Sequence, residues 1–219
     1  MSRQLMVALF RLCECDGNVS RKVAAHGKLT RLGKDQAEVL GARLRQSLQV
    51  ERFFAPNNSA CLETANLARG ECPLDIYEEF REPPYPKWEN KDFESIAAGW
   101  PDQWQRYLNP QPGDAEITFV PGGESFRTSY QRARRGLDKI YETHPDLRRV
   151  AIVTHGEIAR WLILGLLGAP LEQLFRLHWY NGAVSIFHYD GTSATFECIN
   201  DHSHLSVLGL GTNDFLSYN

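Results

Sequence analysis

Apolar positions along this chain fall into two alternating textures, and the clearest lies past its middle. Val150, Ala151, Ile152 and Val153 form an unbroken, largely β-branched run that ends in Thr154-His155-Gly156. A run with no polar alternation predicts a strand buried on both faces, the type found in parallel sheets. Residues 158–167 then change to a long apolar helical pattern. Residues 5–10 predict another central strand, followed by a polar loop over 11–18. Thr30 is placed as the N-cap of a helix whose inward stripe is Ala37, Leu40, Leu44 and Leu48. Short strands are predicted at 53–55 and at Ile76-Tyr77, and helices at 61–68 and 126–141. Residues 181–189 alternate as a strand, Asp190-Gly191 is a hairpin turn, and 194–199 is the return strand. The tail from Asn200 reads as irregular. Strands alternating with helices predict a three-layer α/β/α sandwich with a mostly parallel central sheet.

Residues 83–123 break this rhythm. They hold most of the prolines and three of the five tryptophans, Trp88, Trp100 and Trp104. Such aromatics need burial, so the stretch is expected to be a lid or subdomain inserted in one domain spanning 1–219.

Composition narrows the function classes. The chain has 219 residues, 42% of them hydrophobic, with a net charge of −3. That charge gives no reason to expect nucleic acid or a membrane surface as partner. Residues 1–10 lack the features of a signal peptide, and no apolar run approaches a membrane span. The five cysteines are an odd, scattered set, which suits reduced thiols and a cytoplasmic location.

Ligands on open α/β sheets sit at the carboxyl ends of strands, which makes His155 a candidate site residue. The competing reading is a histidine that caps the next helix. Gly156 beside it would let a backbone or ligand approach closely. Cys13 and Cys15 share the loop after the first strand. Near Arg11 a thiol could act as nucleophile or redox sensor, but two ordinary small residues is the preferred reading.

Several segments, taken in order, carry a resemblance. Leu29-Thr30-x-x-Gly33-x-x-Gln36-Ala37, Cys61-Leu62-Glu63-Thr64-Ala65, Phe80-Arg81-Glu82 with Trp88-Glu89, Pro121-Gly122-Gly123-Glu124-Ser125, Thr154-His155-Gly156, Asn181-Gly182-Ala183 and Asn200-Asp201-x-x-His204-Leu205 line up with one family. The chain resembles the histidine phosphatase superfamily, the phosphoglycerate-mutase-like proteins, over nearly its whole length. The resemblance implies a phosphorylated histidine after the first strand, in an Arg-His-Gly sequence. Here that segment reads Arg11-Leu12-Cys13, and Ala60 stands where the family's second phosphate-binding arginine is expected. Glu82 matches the family's acid and His155 its second pocket histidine. His202 and His204 fall in its closing motif, so no metal and no cofactor is expected.

Leucine has no lone pair with which to attack phosphorus, and loss of an arginine removes a bidentate clamp on phosphate. The expectation is therefore a protein that has lost standard phosphatase or mutase chemistry. His155, Glu82 and Arg11 would form an acid–base site acting on a small anionic organic molecule. Asn18, Thr154, Gly156, Leu12, Cys13 and Ala60 would line the binding pocket. Two alternatives stand beside it: a pseudo-phosphatase that binds without turnover, and a residual phosphatase using Cys13 or an activated water. His26 is a candidate replacement imidazole, with surface placement preferred. The oligomeric state is left open between monomer and homodimer.

Overall fold

The computed structural model describes residues 3–23, 27–206 and 209–210. Among these, six strands form one sheet: β1 (Leu5–Arg11), β2 (Arg52–Ala55), β3 (Leu74–Ile76), β4 (Arg149–Thr154), β5 (Val184–Tyr189) and β6 (Ala194–Asp201). Their order is β3-β2-β4-β1-β5-β6. The first four of that order run parallel to one another. β5 and β6 close the other edge as an antiparallel hairpin on β1. The sheet is mixed α/β and mostly parallel, as the apolar runs predict.

Both faces of the central strands are buried, and the alternation of side chains explains why their sequences are unbroken apolar runs. Val150 and Ile152 join Leu5, Val7 and Leu9 in one apolar cluster, beneath α6 (Phe126–Thr143) and α7 (Gly156–Leu166). Ala151 and Val153 join Ala8 and Phe10 in a second cluster, beneath α2 (Arg31–Arg43) and α3 (Ser59–Arg69). Helices therefore cover the sheet on two sides. No helix among the described residues is long and apolar enough to cross a membrane.

Thr30 caps α2 as predicted: its hydroxyl accepts from the Gly33 amide at 3.0 Å. The inward stripe continues past α2 into a π-helical turn, Leu44–Leu48. A Cβ on Gly33 would sit 2.0 Å from the Glu14 carbonyl oxygen, so only glycine lets this helix start press against the loop after β1. That loop corrects the sequence reading. Leu12, Cys13 and Glu14 are buried within it, and a short helix α1 (Asp16–Ser20) follows. Burial is tolerated because the loop's backbone groups have partners. Cys13 N donates to Thr64 Oγ1 at 3.1 Å, Glu14 N to Gln36 Oε1 at 3.0 Å, and Leu12 O accepts from Asn181 Nδ2 at 3.1 Å.

Residues 83–123 fold into α4 (Phe93–Gly99), α5 (Pro101–Leu108) and a 3₁₀ turn, Asp114–Glu116. Trp88 and Trp104 are buried in the same cluster as Phe126 and Trp161, and Trp100 packs against it. β5 begins at Val184 rather than 181, because the chain first turns at Gly182, whose φ is 69°. β6 runs on to Asp201 and α8 (Ser203–Ser206) follows, so this part of the tail is regular. Residues 207–208, 211–219 and His26 lie outside the described residues.

Candidate functional site

The parallel pairing of β1 with β4 brings Arg11 and Thr154 side by side at the carboxyl ends of the two strands. A cleft opens there that encloses about 920 Å³, mouth included. Its floor holds Arg11 and Leu12 from the end of β1, His155 and Gly156 from the end of β4, and Ala60 from the first turn of α3. Asn18 and Glu82 line it as well. The structure thus brings together most of the residues singled out in the sequence.

Two do not reach the cleft wall. Thr154 is fully buried, and its hydroxyl donates to the Phe80 carbonyl at 2.6 Å. It tethers the 3₁₀ turn Glu78–Phe80, just ahead of Glu82. Cys13 is also fully buried, and burial pushes its thiol well above the usual range. Cys15 does border the cleft, but burial raises its thiol too, against weaker opposing contacts from Asn18 and Gly17. A protonated thiol is a poor nucleophile, so the structure favours ordinary packing over a reactive Cys13.

His155 occupies the position before α7, yet its side chain makes no capping hydrogen bond. The ring instead lies between two groups. Nδ1 is 3.5 Å from Glu82 Oε1, and Nε2 is 3.4 Å from Cys61 Sγ. Burial alone would disfavour the charged ring, but Cys61 and Glu82 outweigh it and hold the imidazole pKa well above its ordinary value. The Glu82 side chain is 29% exposed and that of His155 only 8%, so the carboxylate is the member of the pair that faces a ligand. Cys61 escaped the sequence reading as a site residue because it is 94 residues away from His155. α3 places it: the Asn58 side chain caps that helix by accepting from Ala60 N at 3.0 Å and Cys61 N at 3.2 Å.

Second partners fix the remaining groups. Arg11 donates to the Trp179 carbonyl. A Cβ on Gly156 would meet the Arg11 side chain at 3.3 Å, so the close approach the glycine permits is that of arginine. Asn18 Oδ1 accepts from Cys15 N at 3.0 Å and from Asn181 Nδ2 at 3.0 Å. Glu124 sits between Arg81 and Arg132, and Arg132 also donates to the Glu79 and Arg81 carbonyls at 2.7 and 2.9 Å. Burial opposes ionisation of Glu124, but Arg132 and Arg81 hold its carboxyl below the usual range. The Pro121–Ser125 motif therefore braces the segment that carries Glu82, from outside the cleft.

Part of the lining is aromatic: Tyr85, Trp88, Phe93, Trp104, Tyr107 and Phe175, the middle four of them buried in the core cluster behind the cleft. Glu157 is set among these rings and accepts from the hydroxyls of Tyr85 and Tyr107. Burial raises its pKa, and the nearby Glu82 adds to the effect. Neither Glu157 nor Arg160, which also lines the cleft, was flagged in the sequence, although the two lie three apart, on one face of the helix that follows His155.

A sequence profile of the histidine phosphatase superfamily (branch 1) matches residues 7–202. The chain is 29% identical over 191 residues to 5''-phosphoribostamycin phosphatase of Niallia circulans, an alignment covering 84% of this chain and 87% of that protein. Among solved structures, YhfR of Bacillus stearothermophilus superposes with a TM-score of 0.83 at 28% identity, covering 92% of this chain and 99% of that one. The α-ribazole phosphatase of Shigella flexneri superposes with a TM-score of 0.77 at 22% identity, covering 90% and 96%, a likeness of fold. With strand order, cleft position and profile in agreement over most of its length, the chain belongs to the histidine phosphatase superfamily.

Proposed function

We propose that this protein uses its cleft for acid–base chemistry on a small organic anion, not for phosphoryl transfer through a phosphohistidine. One observation carries the reading. Leu12 and Ala60, which the sequence resemblance sets at the family's nucleophile and second arginine, both line the cleft, near the Glu82–His155 contact. Phosphoryl transfer needs an in-line nucleophile and clustered positive charge on the equatorial oxygens. An isobutyl group and a methyl group supply neither. A carboxylate at the cleft surface, backed by a buried imidazole, can still give and take protons. Arg11 adds a cation for an anionic ligand, and Asn18 an amide. Residues 83–123 would serve as the lid. Reduced cysteines and a cytoplasmic location belong to the same reading.

Binding without turnover is the second reading. It is favoured by the fact that both ring nitrogens of His155 already have protein partners. The names of the relatives favour a third, residual phosphatase activity through an activated water.

A thermal-shift screen of carboxylated and phosphorylated metabolites, followed by product analysis on the hits, separates these readings. Carboxylates should stabilise the protein more than phosphate monoesters, and Glu82→Gln should abolish turnover of any hit. Phosphate release from phenyl phosphate at ordinary phosphatase rates, lost in His155→Ala, would sink the proposal.

A further inference from the structure

Building on the organic-anion reading above, we propose that the cleft selects an anion with a flat aromatic body. Two surfaces that belong to different parts of the chain meet across one cavity. The lining is apolar at Leu12 and Ala60, and aromatic where rings from 85–88, 93–107 and Phe175 border the same cleft. Where the resemblance sets groups that carry charge or hydrogen bonds to a phosphate, aliphatic side chains extend the apolar surface of the cleft inward.

The wall is pre-formed. Trp88 meets Trp104 edge-on at 5.4 Å, Phe93 stacks on Trp104 at 5.5 Å, and Tyr107 meets Phe175 edge-on at 5.4 Å. Glu157 holds the Tyr85 and Tyr107 hydroxyls, which anchors the far ends of those two rings. A wall already ordered loses little freedom on binding. A flat ring placed along it gains edge and face contacts that a saturated ring of the same size does not. A polyhydroxylated ring fits worse. Each hydroxyl turned toward Leu12 or Ala60 would lose its water without gaining a partner.

Charge complementarity decides the other end of the ligand. Arg11, Lys22 and Arg160 line the cleft against Glu82 and Glu157. Burial and Glu82 both favour the neutral form of Glu157. The balance is cationic, which suits a carboxylate reaching inward toward Arg11. The Arg160 guanidinium lies 5.6 Å from the centre of the Phe175 ring, so one cation and one ring of the site are already juxtaposed.

The test is calorimetric titration of the full chain with 3-phenylpropanoate, 3-cyclohexylpropanoate, phenyl phosphate and ribostamycin. The aromatic acid should bind about three- to tenfold more tightly than its saturated analogue, the range expected of a ring pair. Phe175→Leu, which keeps an apolar side chain at a partly buried position, should lower that ratio, weakening the aromatic acid more than the saturated one. Leu12→Asn, which makes the floor polar, should weaken the aromatic acid, with circular dichroism confirming the fold. Equal affinities for the two propanoates overturn the inference and leave the organic-anion reading intact. Tighter binding of ribostamycin than of either acid also overturns it. Hydrolysis of phenyl phosphate with no binding of either carboxylate overturns the underlying reading, and the inference with it.

Discussion

The two sides of the cleft are held by different means. Around His155 and Glu82, the structure is held by hydrogen bonds from a few polar side chains to the backbone: Thr154 on the Phe80 carbonyl, Asn58 on the start of α3, Arg132 on the Glu79 and Arg81 carbonyls. Across the cleft, six rings pack on one another, with Glu157 and the buried Arg160 as the polar groups set among them. Hydrogen bonds are directional, and a buried group that loses its partner bears the full desolvation penalty. Apolar contacts are redundant and tolerate exchange of one hydrophobe for another. The polar side should therefore fail at single positions, whereas the aromatic side should fade gradually.

Arg132→Met is the severest test of that difference. It leaves Glu124, whose side chain is 13% exposed, with one arginine partner in place of two and frees two backbone carbonyls. Removing one member of a buried pair costs about 3–5 kcal/mol, to be read as a large drop in the urea midpoint. A variant within 1 kcal/mol (roughly the size of a single net hydrogen bond) would mean the brace is dispensable. Thr154→Val comes next. It preserves shape but strands the Phe80 carbonyl, at a cost of about 1–3 kcal/mol, and it should loosen Glu82 relative to His155 in the crystal.

The pH dependence probes the polar side without changing its shape. The native pKa of His155 lies above its unfolded value, so the ring contributes its full stabilisation below about pH 6.5. That contribution fades as the pH climbs through the raised native value, because the folded state then loses the proton it held more tightly. The stability gap between wild type and His155→Gln should accordingly narrow from pH 6 toward alkaline pH in urea titrations. A gap that stays constant would show an uncharged ring. On the aromatic side, Phe175→Leu should cost less than about 1.5 kcal/mol. Arg31→Ala lies outside both regions. Its ion pair with Asp35 is exposed, and the loss should be about 0.3–0.5 kcal/mol, near the limit of measurement.

Much of the frame could be read directly. The 150–153 run is a central strand because it must face apolar neighbours on both sides, and the Thr30 N-cap followed from its place before an apolar stripe. The loop after β1 was read only as a polar loop at a strand tip. Its burial rests on Thr64, Gln36 and Asn181, which come from distant segments to satisfy its backbone. Thr154 was read as a pocket residue because it adjoins His155. Strand alternation turned it the other way, onto Phe80.

By itself, the sequence determined the strand and helix periods, the chemistry at the strand tips and the apolar letters at positions 12 and 60. These are properties of neighbours along the chain, where spacing dictates which face a side chain takes. Only the tertiary structure decided that Cys61 touches His155, that Glu157 pins two phenols, and that the rings of 85–107 meet Leu12 and Ala60 across one cavity. Those contacts join segments tens of residues apart. Packing of the layers fixes them, and no local period encodes it.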